Sequence, residues 1–417
     1  MTLDQARTRE EAIDVLEGYS SERRQEMDEL HTRRPLVKSY MLETVPPSLP
    51  QPSLEEVFHR VGARLEPLDD TLFRIRHGSG ETKGLLEYFD RHPVIYTDRK
   101  SQEMDGWVRR LVVLNPEVDN LWLSGLAFGA LLEEICDTFP EHRFGRIVFD
   151  HQSLYEDDTS PVSQRPEEDD DAEDAAYKLA ETSAPSNEDE DASIPERRST
   201  RFMVVDRLGV LKAKLPRLRE DYAPLHAISQ LRIPAHGPGG HDFYFWGKVT
   251  NRSTSFANHR QNVEHVLNVY RRATQATEQT AWSGVEKTTL DIHGEHRVLI
   301  GAPVTLEFAD PLSQAAFDNF IHATFQRENN PFRLWGNPIK LGPRKVHVYG
   351  LDRHLWQPLH LEITDKRIVI ILPAGTCGNS IHRLVTNVQQ FLDPNIRVWI
   401  GDRLYKDLIQ GMTARTY

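Results

Sequence analysis

The chain has 417 residues, 39% of them apolar and 9% aromatic, enough to bury more than one core. Its two cysteines, Cys136 and Cys377, are too few for a disulfide framework or a cysteine-rich zinc site and fit a reducing compartment. No run of about 18 apolar residues argues for a membrane span, and the charged start MTLDQARTREEAIDVL lacks the apolar stretch of a signal peptide, so a cytoplasmic location without a membrane partner is expected.

The net charge of −13 is unevenly placed: −9 over residues 1–155, −14 over 156–196 and +8 over 201–417. An acidic front half and an acidic linker thus precede a mildly basic carboxyl part.

In chain order, Thr8 and Glu11 form a capping box before Ala12, Ile13, Leu16 and Tyr19, which predicts an amphipathic helix. Prolines 46, 47, 50 and 52 then mark an extended connector, so residues 1–52 read as a helical arm and its tether. The first lobe is expected over 53–155. Ser53 and Glu56 open a helix, 71–77 and 93–97 read as strands, 104–112 and 120–139 as helices, and 146–149 as a last strand. Residues 156–199 carry dense Asp and Glu without periodicity and predict a disordered linker.

The second lobe is expected over 200–417. A strand is predicted at 243–249, a long helix from Ser255 to Trp282 and a hairpin at 287–308. Asp310-Pro311 reads as the start of the next helix. Strands follow at 346–350, 359–364 and 367–372, then a helix at 380–392 and a strand at 396–400. The fold class is α/β, with mixed α+β as the variant: two lobes, the second ending in a β-loop-α-β unit. No internal repeat is visible.

The sharpest local signal is the turn Pro373–Ser380 between an apolar strand and a helix. Free N–H groups at a helix start and the positive end of its dipole favour an anion. Gly375, Thr376, Gly378, Asn379, Ser380 and Arg383 are the expected anion-binding set. Cys377, with His382 nearby, is the candidate nucleophile. Asp352, His354, His360 and Glu362 share strand parity, which makes His354, His360 and Glu362 the candidate metal ligands, although their spacing matches no recognised motif.

Aromatic residues are frequent in the basic lobe: Phe243, Tyr244, Phe245, Trp246, Phe332, Trp335, Tyr349 and Trp356. Arg333, Lys340, Arg344, Lys345 and Arg353 lie between or beside them. Rings interleaved with cations suit stacking on single-stranded nucleic acid. The composite expectation is a non-enzymatic interaction protein without a cofactor. Its basic lobe takes an anionic partner, nucleic acid first, and its acidic front lobe takes a protein. The rivals are an enzyme centred on 373–383 and a metal-dependent nuclease on the 352–362 face. The linker, being polyanionic and tethered, can reach the basic lobe and compete with an outside polyanion, although a plain spacer is the first expectation for it.

Overall fold

The computed structural model describes residues 2–30, 34–46, 49–50, 52–88, 90–152, 199–290, 294–325 and 330–413. The expected linker, 156–199, lies outside these residues except for Ser199.

Helix α1 (Arg9–Leu30) is followed by β1 (Lys38–Glu43) and the short helix α2 (Leu54–His59), which Ser53 caps by accepting from the Glu56 N–H. An antiparallel meander follows: β2 (Ala63–Pro67), β3 (Leu72–His77), β4 (Thr82–Glu87) and β5 (Val94–Thr97). Helix α3 (Ser101–Leu114) and the two-residue strand β6 (Asp119–Asn120) complete this part. Next come α4 (Gly125–Thr138), β7 (Phe144–Gln152), β8 (Ser199–Arg207), α5 (Leu208–Asp221), β9 (Ile228–Pro234), β10 (Gly240–Tyr244) and β11 (Lys248–Asn251). The single strand expected at 243–249 is instead two strands, because Gly247 adopts φ +85° and turns the chain between them.

The 26-residue helix α6 (Phe256–Ala281) starts at Ser255, whose side chain accepts from the Asn258 N–H, and buries Val263, Val266, Leu267 and Tyr270 at helical spacing. After it come the hairpin β12 (Trp282–Leu290) and β13 (Gly294–Ile300), then β14 (Val304–Glu307) and α7 (Gln314–Phe325). A second antiparallel meander is made by β15 (Leu334–Gly342), β16 (Lys345–Asp352), β17 (Gln357–Thr364) and β18 (Arg367–Pro373). Helix α8 (Asn379–Phe391), β19 (Arg397–Ile400), β20 (Arg403–Leu404) and α9 (Tyr405–Thr413) end the described chain.

The fold is mixed α+β, built on two largely antiparallel sheets. The first has the order β2-β3-β4-β5-β1-β11-β10-β9-β7-β8, with β6 beside β1. The second has the order β15-β16-β17-β18-β14-β19-β20, with β12 and its hairpin partner joined to β18. Strands from both sides of 156–199 therefore share one sheet, and β7 and β8, which flank that stretch, are direct neighbours. The change from one sheet to the other falls at α6, not at the acidic stretch.

The expected β-loop-α-β unit is present as β18-α8-β19, with β14 antiparallel between its two strands. Its last meander strand, β18, buries alternate residues rather than both faces. Ile368, Ile370 and Leu372 are buried, whereas Ile371 is exposed.

A repeat absent from the sequence pattern emerges in the topology. The order strand, helix, four-stranded meander, helix occurs three times: β1, α2, β2–β5, α3; then β6, α4, β7 with β9–β11, α6; then β14, α7, β15–β18, α8. In the second copy β8 and α5 are inserted after the first meander strand. In the first and third copies the leading strand pairs with the last meander strand, and the strand after the second helix pairs on its other side. One continuous core runs through all three, from Leu16 and Phe128 through Val266 to Phe317, Ile370 and Val385. A smaller core, with Tyr40, Phe58, Ile95 and Trp107, seals α2 and α3 onto the first sheet.

Candidate functional site

The turn at 373–378 delivers the start of α8 into the protein interior. Gly375 has φ +91°, and Gly378 packs so closely that a Cβ there would lie 2.9 Å from Glu278 Cγ. The helix start already faces carboxylates of the chain itself. The Gly378 N–H donates to Glu278 Oε1 at 2.8 Å, and the Ser380 hydroxyl donates to Asp352. Thr376 folds back on Pro373 O at 2.7 Å, and Asn379 donates to Asn120 O at 2.9 Å while accepting from the Tyr270 hydroxyl at 2.7 Å. Arg383 is fully buried, pairs with both Asp119 and Asp352, and donates to Phe332 O at 2.8 Å. The expected anion site is thus a set of internal bonds joining the second copy of the repeat to the third.

Cys377 sits in the same interior. Its Sγ lies 3.2 Å from Arg91 Nη2 and 3.6 Å from Glu43 Oε1, and Arg91 pairs with Glu43 and, at 2.6 Å, with Glu278. Burial, with Glu43 adding to it, pushes the thiol well above its ordinary range. A buried neutral thiol is not the exposed, low-pKa thiolate that nucleophilic catalysis needs. His382 is no base for it either: its ring nitrogens meet Thr274 Oγ1 at 3.0 Å and the Tyr405 hydroxyl at 2.5 Å. Burial lowers its pKa to about 4, which keeps the ring neutral.

The candidate metal ligands separate. The turn at 353–356 breaks the strand parity assumed for them, so His354 points inward, with Nδ1 2.9 Å from Pro116 O, and His360 stays outside. Glu362 pairs with Lys345 at 2.8 Å and His347 at 3.0 Å. Among the described residues no group of three or more His, Cys, Asp or Glu is placed to hold a metal ion.

The basic candidates divide in the same way. Arg333 is tied inward, to Asp119 at 2.9 Å and to the carbonyls of Val118 and Val112. Arg353 is half-buried and donates its backbone N–H to Arg333 O. Lys340, Arg344 and Lys345 lie at the surface, each with a carboxylate partner: Asp318, Asp365 and Glu362.

The aromatic candidates sort by face. Phe243 and Phe332 are core residues. Trp335, Tyr349 and Trp356 are 56%, 64% and 53% exposed. Strand alternation puts Trp335, Tyr349, His360 and Ile371 on one open face of β15–β18, with Tyr349 opposite His360 in the ladder and their rings 5.5 Å apart, edge to face. Trp335 is a diagonal neighbour of Tyr349, within reach of an aromatic side chain.

Trp356 stands in the β16–β17 turn at φ +52°, after Leu355 at φ +63°. Large side chains rarely adopt this left-handed conformation, and here the Leu355 N–H is anchored to Pro116 O at 2.8 Å and Gln357 to Gly375 O at 2.8 Å.

Over residues 4–406 the chain matches the family model described as MJECL33-like protein. A relative from Methanocaldococcus jannaschii, called uncharacterized protein MJECL33, is 23% identical over 384 residues, spanning 87% of this chain and 86% of its own. No solved structure matches. The family match spans all three copies of the repeat together with the buried ion cluster that joins the second and third, and the chain belongs to the MJECL33-like protein family.

Proposed function

We propose that the protein is a non-enzymatic interaction protein of the cytoplasm, whose carboxyl-terminal part binds single-stranded nucleic acid on the open face of β15–β18. The observation that carries this reading is the group of three rings, Trp335, Tyr349 and Trp356, each more than half exposed. Exposed rings of this size are costly to leave in water and serve as stacking platforms for bases. The surface cations of the β15–β16 hairpin support the same reading. Lys340, Arg344 and Lys345 hold their carboxylates in exposed pairs, which are weak, and a phosphate backbone can replace such partners. The acidic front half, at −9, is the part assigned to a protein partner. The 373–383 turn gives no support to an enzymatic reading, since its thiol, histidine and helix start all face the interior.

The test is fluorescence anisotropy of labelled single- and double-stranded oligonucleotides with the full chain over a salt series. Single strands are expected to bind more tightly than duplex, with affinity falling as salt rises. Absence of salt-sensitive binding to either would overturn the proposal.

A further inference from the structure

Trp356, one of the three exposed rings, is held in place by residues of the front half of the chain. Among the described residues four non-glycine positions have a left-handed backbone, and three of them belong to this spot: Arg333 at φ +52°, Leu355 at φ +63° and Trp356 at φ +52°. Such a backbone is unfavourable for a residue with a Cβ and persists only where its surroundings over-determine it. Those surroundings are the loop at 115–118, between α3 and β6. Pro116 O accepts from the Leu355 N–H at 2.8 Å and from His354 Nδ1 at 2.9 Å. Arg333 donates to Val118 O at 3.0 Å and to Val112 O at 3.1 Å, and the Arg353 N–H closes the clasp on Arg333 O at 2.9 Å.

The same loop is fastened a second time, from α2. Arg60, the C-cap of that helix, donates to Asn115 Oδ1 at 3.0 Å and pairs with Glu117 at 2.9 Å. Asn115 in turn donates to Val57 O at 3.2 Å and to Leu111 O at 2.8 Å. A continuous set of polar contacts therefore runs from the surface of α2 through 115–118 to the turn that carries Trp356. Its middle is dry, since Asn115 and His354 are fully buried, whereas Arg60 and Trp356 at its ends are 41% and 53% exposed. The His354 ring has no hydrogen bond besides the one to Pro116 O, because its Nε2 has no partner. Breaking a buried bond leaves its groups unsatisfied, so the loop and the turn move together rather than part.

We propose that the front half of the chain sets the position of Trp356, so that the state of the α2 surface around Arg60 and base stacking on this ring are coupled. Arg60 is the positioning residue: it touches neither the ring nor the open face and acts through the loop. The stacked base rests on the nucleic-acid reading above, whereas the control of the ring by Arg60 does not depend on it. Linkage makes the coupling reciprocal, since a strand stacked on Trp356 favours the same arrangement of 115–118 that Arg60 holds. A protein partner seated on α2, in the acidic front half, would thereby tune the affinity of the second sheet for a strand.

Fluorine NMR of the full chain labelled with fluorotryptophan, joined to anisotropy titration with labelled oligothymidine, tests the coupling. Trp356→Phe identifies the signal of that ring among the seven tryptophans. Arg60→Ala is a surface change. It is expected to shift or broaden the Trp356 signal, to leave that of Trp399 on β19 in place, and to weaken oligothymidine binding by about twofold to thirtyfold. Arg60→Lys, which keeps a donor for Asn115 and Glu117, is expected to restore part of both. Arg64→Ala removes the same charge from an exposed position of β2 that holds no part of the loop, and should change neither. An unmoved Trp356 signal in Arg60→Ala, or equal shifts in Arg60→Ala and Arg64→Ala, would overturn the coupling. So would a shifted signal with wild-type affinity, because the ring would then lie outside the binding face. A shifted signal in a chain whose wild type binds no oligothymidine would keep the control of the ring and overturn the nucleic-acid reading instead.

Discussion

The start of α8 and the open face of β15–β18 belong to the same basic part of the chain, yet they use charge in opposite ways. At the start of α8, Arg383 and its partners Asp119 and Asp352 are all buried, and Arg91, Glu43 and Glu278 repeat the pattern beside them. At the surface of the β15–β16 hairpin Lys340, Arg344 and Lys345 have one carboxylate each, and water reaches both members of every pair. A buried ion must be paired because desolvation penalises it by several kcal/mol, so the first set is fixed in place. An exposed pair is worth about 0–1 kcal/mol and is screened by salt, so the second set can exchange partners. The first set therefore joins parts of the fold, and the second is free to recognise.

The sharpest way to break this contrast is to remove one charge from each set. Arg383→Leu leaves Asp119 and Asp352 buried without their shared partner. A loss of about 3–5 kcal/mol in unfolding free energy is expected from denaturant titration. Lys340→Ala should change stability by no more than about 1 kcal/mol in the same experiment. Similar small losses in both variants would show that the buried cluster is no stronger a tie than the surface pairs.

Acid sharpens the same comparison. Burial lowers the pKa of His382, in α8, to about 4 and that of His241, in β10, to about 4, against about 6.5 in an unfolded chain. Between those values the unfolded state binds more protons, so stability rises with pH across the window and is lost as pH falls from about 6.5 toward 4. Each pKa unit corresponds to about 1.4 kcal/mol, so the two together give a loss of a few kcal/mol. Glu43 and Asp119 add little above about pH 4.5, the ordinary carboxylate range. Burial works to raise both, but Arg91 and Arg383 respectively hold them below the ordinary carboxylate range, so their contribution is lost only at lower pH. Unfolding curves at pH 7, 5.5 and 4.5 measure the slope, and His382→Gln should flatten it. Constant stability from pH 7 to 4.5 would mean these histidines are not held neutral in the interior.

Local structure was legible in the sequence wherever a short-range rule governs it. Ser53 and Ser255 cap the helices their positions announce, and the 3.6-residue spacing of Val263, Val266, Leu267 and Tyr270 is buried as the pattern requires. The start of α7 was misplaced: Ser313, not Asp310, accepts from the Ala316 N–H, so the helix begins after the proline rather than on it. The chain-level arrangement was not legible. Pairing of β1 with β11 spans some two hundred residues, and nothing local in KSYMLE or KVTN names the other as its neighbour.

The candidate site was half legible for the same reason. The helix start at 378–383 has the composition of an anion site, but its anions come from Glu278 and Asp352, remote in sequence. The threefold topology leaves no trace in the sequence because it preserves strand order and helix placement, not residue types.

The open face is where the smallest effect on folding should meet a clear effect on binding. Trp335 is exposed and stands on a strand whose own core contact is made by its neighbour Leu334. Trp335→Ala should therefore leave the unfolding free energy within about 0.5 kcal/mol of the wild type, as for other surface substitutions. A base stacked on that ring is worth about 1–3 kcal/mol, so affinity for a single-stranded oligonucleotide should fall by roughly fivefold to a hundredfold or more, with little change in its salt dependence. Tyr349→Ala, one strand over, should repeat the result, whereas Lys345→Ala should reduce the salt slope with a smaller loss of affinity. The two kinds of variant thus separate stacking from phosphate contact on one surface. If Trp335→Ala weakened folding and left oligonucleotide affinity intact, the ring would belong with Arg383 among the structural ties, and the division between joining and recognising charges would lose its recognising half.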